Sequence, residues 1–181
     1  MKNPFIIGEN IYLSPLAKAD ISQEYISWLN DAEVCRENSH ATFPNSEVKT
    51  TAYVESIENS KTEIVFAIRW KENDVHIGNI SLQKINWINR SGEIAIIIGN
   101  KNYWNKGIGS EAYKLLIDYG FNTLNLNRIS SGQTITNEGM IKVCVKNGMK
   151  KEGLLREALF KNGKFSDVII YSILLKEYKK N

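Results

Sequence analysis

The chain has 181 residues, of which 43% are hydrophobic and 24% charged, with a formal net charge of +3. This composition is ordinary for a globular protein, and the charge is too small to indicate a nucleic-acid partner. The length suits one domain, 1–181, that can bury a core without disulfides.

Cysteine and histidine are too sparse to predict a disulfide framework or a metal site. The cysteines are Cys35 and Cys144, and His40 and His76 each stand alone, without the spacing of metal ligands. No apolar stretch reaches the roughly 18 residues of a membrane span, and the start of the chain lacks a signal-peptide pattern. We therefore expect a cytoplasmic protein with no metal and no membrane association, and a homodimer stays compatible with the sequence.

The first half of the chain predicts strands and two early helices. Residues 11–16 read as a strand, Asp20 can cap a helix over 21–29, and Ser46 opens a second helix that ends near 59. Further strands are predicted at 63–70, 75–85 and 93–98, separated by turn sequences. Gly78 inside the second of these strands indicates a bulge or a close backbone approach.

The second half predicts alternating helices and strands and then a hairpin. A helix follows residue 107 and ends near Gly120, 127–131 reads as a strand, and Asn137 opens a helix over 138–146. Strands at 150–160 and 165–175 flank Asn162-Gly163, a strong two-residue turn signal, and the basic residues 176–180 read as a solvated end. The order of elements predicts a mixed α+β fold.

A glycine-containing loop lies between the apolar strand 93–98 and the following helix. It contains Lys106, Gly107 and Gly109. Glycine exposes backbone amides, and a helix N-terminus presents unpaired N–H groups with partial positive charge, a combination that suits a bound pyrophosphate. The spacing is neither that of the P-loop nor that of the dinucleotide fingerprint. From the loop alone, a plain strand-to-helix turn stays equally open.

This loop resembles the coenzyme A pyrophosphate loop of the GNAT superfamily of N-acetyltransferases. The family pattern Gln/Arg-x-x-Gly-x-Gly/Ala falls on Trp104, Gly107 and Gly109. Tryptophan at the first position resembles the branch that contains ribosomal-protein N-terminal acetyltransferases and amino-sugar acetyltransferases. The resemblance implies a mostly antiparallel sheet of about seven strands flanked by helices. It also implies that the central strands splay to admit acetyl-CoA, the co-substrate.

The resemblance also implies which residues meet the cofactor. The backbone of Ile96, Ile97 and Ile98 would pair with the pantetheine arm. Asn137 would hydrogen-bond that arm, or it serves only as a helix cap. Lys146 would lie near the cofactor's phosphates, or it only points into solvent. The pyrophosphate loop would comprise Trp104, Asn105, Lys106, Gly107, Ile108, Gly109 and Ser110.

Two residues could carry proton transfer. An attacking amine with a reference pKa near about 10.4 must lose a proton, and the leaving thiolate benefits from a donor. Glu93, at the start of an otherwise apolar strand, is a candidate general base, with an exposed or substrate-orienting glutamate as the alternative. Cys144 stands where many family members have a proton-donating tyrosine, and Met140 where many in this branch have Ser or Ala. Cys144 could donate this proton. Alternatively, it only packs in the core, and water is the donor.

The acceptor stays open between two primary amines, a protein N-terminus and a nucleotide-linked amino sugar. A polyamine or aminoglycoside is less favoured, because the early loops offer few acidic residues beyond Glu33 and Glu37. The missing tyrosine motivates a different class of function, a non-catalytic acyl-CoA-binding module. Residues without assigned roles that could set specificity are Arg36, Glu37, His40, Trp87 and Arg90.

Overall fold

The structure, a computed structural model, describes residues 1–178. Residues 179 and 180 of the predicted solvated end therefore lie outside the described residues. Eight strands form one sheet in the order β1-β2-β3-β4-β5-β6-β8-β7. The strands are β1 Ile6–Ile7, β2 Ile11–Pro15, β3 Ile64–Trp70, β4 His76–Asn86, β5 Ser91–Ile98, β6 Arg128–Thr134, β7 Lys150–Lys161 and β8 Lys164–Leu174.

Helices cover both faces of this sheet. Their bounds are α1 Gln23–Asn30, α2 Glu47–Glu58, α3 Ile108–Asn122, α4 Glu138–Lys146 and α5 Leu175–Tyr178. One apolar cluster joins α3 and α4 to the sheet, and a second joins α1 and α2 to its opposite face. Alternate side chains of β5 divide between them, since Ile94 packs in the first cluster and Ile97 in the second. The predicted α+β architecture is confirmed.

The pairing of β5 with β6 sets the position of the site. Every other neighbouring pair in the sheet is antiparallel, whereas β5 and β6 run parallel. Their aligned residues run only from Ser91 opposite Arg128 to Glu93 opposite Ser130. Beyond Glu93 the two strands separate, and the space between them stays open.

The structure adds one short strand to the first half of the chain and corrects the cap of its first helix. The added strand is Ile6–Ile7, at the edge of the sheet beside β2. Ser22, not Asp20, caps α1 by accepting a hydrogen bond from the Tyr25 N–H at 3.1 Å. Asp20 instead forms a buried ion pair with Arg69 of β3, a partner that local sequence cannot reveal.

Other local predictions hold. Asn162 and Gly163 have φ values of 51° and 76°, which fit the tight turn predicted between the two hairpin strands. Gly78 lies at a close backbone approach, because a Cβ there would come within 2.2 Å of the Ile97 carbonyl oxygen. Ser46 caps α2 through the Lys49 N–H, and α4 has the predicted bounds.

Candidate active site

A cleft of about 490 Å³ occupies the gap where β5 and β6 separate. Its walls come from four parts of the chain: β5, the glycine loop with the start of α3, the segment from Gly132 to α4, and the loop after α1. Predicted site residues that line it are Glu93, Ile96, Ile97, Ile98, Trp104, Asn105, Gly107, Ile108, Gly109, Ser110 and Asn137.

The glycine loop presents unpaired amides to this cleft. Gly107 is the N-cap of α3 with φ 78°, a left-handed conformation that glycine adopts without strain. The N–H groups of Ile108, Gly109 and Ser110 lie in the first turn, where no intrahelical acceptor exists. A Cβ at Gly109 would lie 3.6 Å from Val143 and 3.9 Å from the Met140 sulfur, which is ordinary van der Waals contact with α4. The arrangement suits an anion.

Trp104 closes one backbone acceptor of β5. Its indole Nε1–H donates to the Ile98 carbonyl oxygen at 2.8 Å. The tryptophan that replaces the family's Gln or Arg thus fastens the glycine loop to the end of the strand. The Ile98 carbonyl is therefore occupied before any ligand arrives.

The remaining backbone groups of β5 can be assigned by alternation. The Ser130 and Ser131 hydroxyls donate to the carbonyls of Gly92 and Ile94 at 3.3 and 3.0 Å, so these even-numbered residues direct their carbonyls toward β6. Alternation then places the N–H and C=O of Ile96 and the N–H of Ile98 at the open edge. Ile97 lies opposite Asn79 of β4, and its backbone groups face that strand. The Ile97 main chain therefore faces β4 rather than the open edge where we expected the cofactor, although its side chain lines the cleft.

Glu93 lies where β5 and β6 part, on the face of the sheet that α1 and α2 cover. Its side chain is 33% exposed, and its Oε2 atom is 2.8 Å from Lys84 Nζ. Oε1 makes no hydrogen bond within residues 1–178, so that a carboxylate oxygen remains free to accept a proton at the reactive end of the cleft.

The loop after α1 places a second carboxylate over the same face. Glu37 Oε2 accepts hydrogen bonds from the hydroxyls of Thr134 and of Thr136, the latter at 2.8 Å. Lys161, near the tip of the β7–β8 hairpin, holds the loop by donating to the carbonyls of Cys35 and Asn38. No cation lies within ion-pair distance of Glu37 among residues 1–178.

Three predicted site residues do not line the cleft. Lys106 is exposed, with its ammonium over the Tyr103 ring, and Lys146 is exposed on the last turn of α4. Cys144 is fully buried, and burial raises the pKa of its thiol to about 11. The thiol is therefore both out of the cleft and a weak acid, which corrects the idea that it donates a proton there.

Asn137 is a helix cap whose side chain also reaches the cleft. Its Oδ1 accepts the Met140 N–H at 3.2 Å and so caps α4. The residue also lines the cleft, and its side-chain N–H₂ makes no hydrogen bond within residues 1–178. The cap thus orients a free amide donor next to the open edge of β5.

Of the residues considered for specificity, Arg36 and Glu37 line the cleft. The Trp87 indole instead donates to the Lys61 carbonyl at 2.7 Å, and Arg90 binds Asn125. His40 is exposed. Trp87 and Arg90 therefore brace loops away from the cleft.

Sequence reasoning missed a polar cluster in the cleft floor. Tyr113 of α3 and Ser131 and Gln133 of β6 are buried and hydrogen-bonded to one another. The predicted strand ended at 131, whereas β6 continues to Thr134. The alternation of Ile129, Ser131 and Gln133 could have revealed one inward face with unusual polarity.

The described residues hold no cluster of three metal-ligating side chains. Within 1–178, none of the helices has the length and apolarity that crossing a membrane requires.

A parallel strand pair that opens beside a glycine-capped helix is the arrangement that we expected of a coenzyme A-dependent acyltransferase. Residues 10–150 match the sequence model of the acetyltransferase (GNAT) domain. The chain therefore belongs to the GNAT family and is an acetyl-CoA-dependent N-acetyltransferase.

Relatives agree with this assignment. The "Probable N-acetyltransferase YjcK" of Bacillus subtilis is 31% identical over 175 residues, which cover 92% of this chain and 95% of that protein. The "Uncharacterized N-acetyltransferase p20" of Bacillus licheniformis is 42% identical over 113 residues, 62% of this chain, and the match spans 63% of that protein's length.

A solved structure shares the fold over nearly the whole length. The spermidine N-acetyltransferase from Vibrio cholerae, in complex with CoA and spermine, has a TM-score of 0.86 and 25% sequence identity. The match covers 94% of this chain and 98% of that one.

Proposed function

We propose that this enzyme transfers acetyl from acetyl-CoA directly to the primary amine of a protein or peptide N-terminus, in a ternary complex. The observation that carries the proposal is the pairing of an open β5 edge with a free Glu93 oxygen at the point where the strands separate. The first feature suits the thioester arm, and the second suits the amine that attacks it.

The cofactor would extend the sheet from the open edge of β5. The pantetheine arm pairs with the backbone of Ile96 and Ile98, and Asn137 donates its side-chain N–H to the same arm. The pyrophosphate meets the amides of Gly109 and Ser110 at the start of α3, where the helix dipole favours negative charge. Lys106 and Lys146 add no direct contact in this arrangement, because neither lines the cleft.

Proton transfer would proceed on the Glu93 side. The acceptor amine gives a proton to Glu93, directly or through water, and its nitrogen attacks the thioester carbonyl. A backbone N–H such as that of Ile96 stabilises the developing oxyanion. The new N–C bond forms as the C–S bond breaks, and the departing thiolate takes a proton from water, because the buried Cys144 thiol has a raised pKa.

The position of Glu37 favours an acetyl acceptor that carries a hydrogen-bond donor in addition to its reacting amine. Two other carboxylates near the cleft are already paired, Glu33 with Lys101 at 2.7 Å and Glu93 with Lys84 at 2.8 Å. Glu37 alone among these keeps an unneutralised charge, held in place by two threonine hydroxyls. A peptide N-terminus offers an amine and, one residue on, an amide N–H that such a carboxylate can accept.

A polyamine is the second candidate acceptor. The similarity to the Vibrio cholerae spermidine N-acetyltransferase favours it, and Glu37 could equally receive a second ammonium group. A nucleotide-linked amino sugar would instead place phosphates near Arg36, the cation that lines this part of the cleft.

A thiol-release assay with acetyl-CoA and four acceptor classes tests the proposal. The classes are peptides with free N-termini, spermidine and spermine, nucleotide-linked amino sugars and aminoglycosides. We expect the highest kcat/KM with a peptide, and a higher value with any other class would overturn the acceptor assignment.

The Glu37→Gln variant sharpens that assay. Gln still accepts an amide N–H, so that a peptide acceptor should lose less than about threefold in kcat/KM. A polyamine would lose the charged partner of its second ammonium group, and its kcat/KM should fall roughly tenfold or more. A loss of tenfold or more with the acceptor that the wild type prefers would support the second candidate.

A further inference from the structure

The search for uses of the buried polar groups leads to the cluster of Tyr113, Ser131 and Gln133. Their exposures are 0%, 0% and 7%, and Tyr113 and Gln133 line the cleft. The proposed reaction uses none of them. They lie on the face covered by α3 and α4, where the thioester arm would enter.

The hydrogen bonds fix which way the Gln133 amide points. The Ser131 hydroxyl has one hydrogen, which goes to the Ile94 carbonyl at 3.0 Å, since a carbonyl can only accept. Ser131 must therefore accept from its other neighbours. Gln133 lies 2.8 Å from Ser131 Oγ and 3.4 Å from the Tyr113 hydroxyl, and both contacts are made by Nε2. The N–H₂ group faces the cluster, and the carbonyl oxygen faces away.

The Gln133 carbonyl oxygen is the unused atom of this cluster. It accepts no hydrogen bond from residues 1–178, and no buried side-chain oxygen or nitrogen in that range lacks a partner. The small exposed part of Gln133 therefore includes this oxygen, which opens onto the cleft that the residue lines.

The count of donors and acceptors on β5 explains what this oxygen could bind. The pantetheine arm of CoA carries two amide N–H groups, each of which needs an acceptor when water is excluded. At the open edge of β5, Ser131 occupies the Ile94 carbonyl and Trp104 occupies the Ile98 carbonyl. Among the carbonyls of β5 that face this edge, the Ile96 carbonyl is the one that has no donor within residues 1–178, and it can meet one of the two groups.

We propose that Gln133 is a cofactor-binding residue whose side-chain carbonyl accepts the second amide N–H of the pantetheine arm. Tyr113 and Ser131 hold the amide in the orientation that this contact needs. The inference rests on the proposed placement of the pantetheine arm along β5. It connects two features of this chain. Trp104 donates to the Ile98 carbonyl, an acceptor at the edge of β5, and the Gln133 side-chain carbonyl supplies another acceptor beside that edge.

Calorimetric titration of the protein with CoA and two CoA analogues tests this contact. Each analogue replaces one pantetheine amide by an ester and thus lacks one N–H. The wild type should bind both analogues about 3- to 10-fold more weakly than CoA, the size of one hydrogen bond. Gln133→Met, which keeps the side-chain length, should lose a similar factor for CoA. It should also bind one analogue as tightly as it binds CoA, while still discriminating against the other.

Gln83→Met is the matched control. Gln83 also donates to a serine hydroxyl, Ser81, at 2.9 Å, but lies outside the cleft lining. This variant should keep the wild-type pattern with all three ligands. The same result for Gln133→Met would overturn the proposal and leave a backbone carbonyl as the acceptor.

The remaining outcomes separate this inference from the proposed function. If the wild type binds both analogues as tightly as CoA, the pantetheine arm does not pair with β5. The Gln133 contact and the cofactor placement in the proposed function then fail together. If Gln133→Met binds CoA weakly but still discriminates against both analogues, the residue acts only on the shape of the cleft. In that case this inference fails and the β5 placement stands.

Discussion

The two faces of the sheet at the cleft differ in charge and in solvent exposure. On the α1 and α2 face, Glu93 is 33% exposed and Glu37 has no cationic partner within residues 1–178. On the α3 and α4 face, Tyr113 and Cys144 are fully buried and uncharged. One face can receive a proton and attract a cationic amine, whereas the other holds neutral hydrogen-bonding groups.

This difference follows from desolvation. Burial raises the pKa of both Tyr113 and Cys144, because a low-dielectric environment disfavours the anion. Neither group can give up a proton readily at neutral pH. In the proposed mechanism, one face therefore provides the base and the other a fixed scaffold, and the leaving thiolate takes its proton from water.

The largest expected effect comes from removing the base. Glu93→Gln keeps the size of the side chain, and we expect kcat to fall by about 10²- to 10⁴-fold, the usual contribution of general-base catalysis. CoA affinity should be unchanged, because the proposed cofactor site uses the backbone of β5 and not the Glu93 side chain. The residual rate should rise with pH toward the pKa of the free amine, as the acceptor loses its proton to solvent.

Glu63→Gln is the control for that experiment. Glu63 binds the Tyr53 hydroxyl at 3.0 Å and does not line the cleft, so that its amide should leave kcat within about twofold. If Glu93→Gln also retained wild-type kcat, the charged face would serve only to attract the acceptor.

Features that depend on neighbouring residues were predictable from the sequence. The glycine loop, the Asn137 cap and the Asn162-Gly163 turn each follow from a few adjacent residues with defined backbone preferences. These features fixed the cofactor end of the cleft and the overall α+β arrangement.

Features that depend on strand register were not predictable. The Ile97 backbone faces β4 only because that residue lies opposite Asn79, and periodicity does not give the partner. Gln133 was missed because β6 runs three residues beyond the predicted end. Lys106 looked suited to phosphate from its charge, yet its direction is set by the Tyr103 ring.

An intermediate effect is expected at the start of α3. Gly109→Ala would place a methyl group in ordinary contact with Val143 and Met140, beside the amides to which we assign the pyrophosphate. Acetyl-CoA affinity should fall about tenfold, the loss of one hydrogen bond to a charged group. The midpoint of thermal unfolding should hold or rise, because Ala has a better helix propensity than Gly. Calorimetry and thermal melts check both, and unaltered affinity would place the pyrophosphate elsewhere.

A smaller effect is expected within the neutral face. Tyr113→Phe removes the hydrogen bond to Ser131 and the 3.4 Å contact with Gln133 but leaves the hydrogen bond from Gln133 to the Ser131 hydroxyl. We expect the free energy of unfolding to drop by about 1 kcal/mol, and kcat to change by less than about threefold. Denaturant unfolding and steady-state rates measure the two quantities. A loss of kcat comparable to that of Glu93→Gln would show that this hydroxyl takes part in the reaction.

The smallest effect on rate is expected at Cys144. Cys144→Ala should leave kcat within about twofold between pH 7 and 9, since the thiol has a raised pKa and does not line the cleft.

The effect of Cys144→Ala on stability should depend on pH. The folded-state pKa of about 11 exceeds the ordinary value of 9.0, so that the unfolded chain loses this proton first as pH rises. The stability of the wild type relative to Cys144→Ala should therefore be constant below about pH 8 and decline from about pH 9 to 11. Denaturant titrations of both proteins across this range measure the difference. A pH-independent difference would mean that the thiol is solvated, and the neutral face would then offer an acid after all.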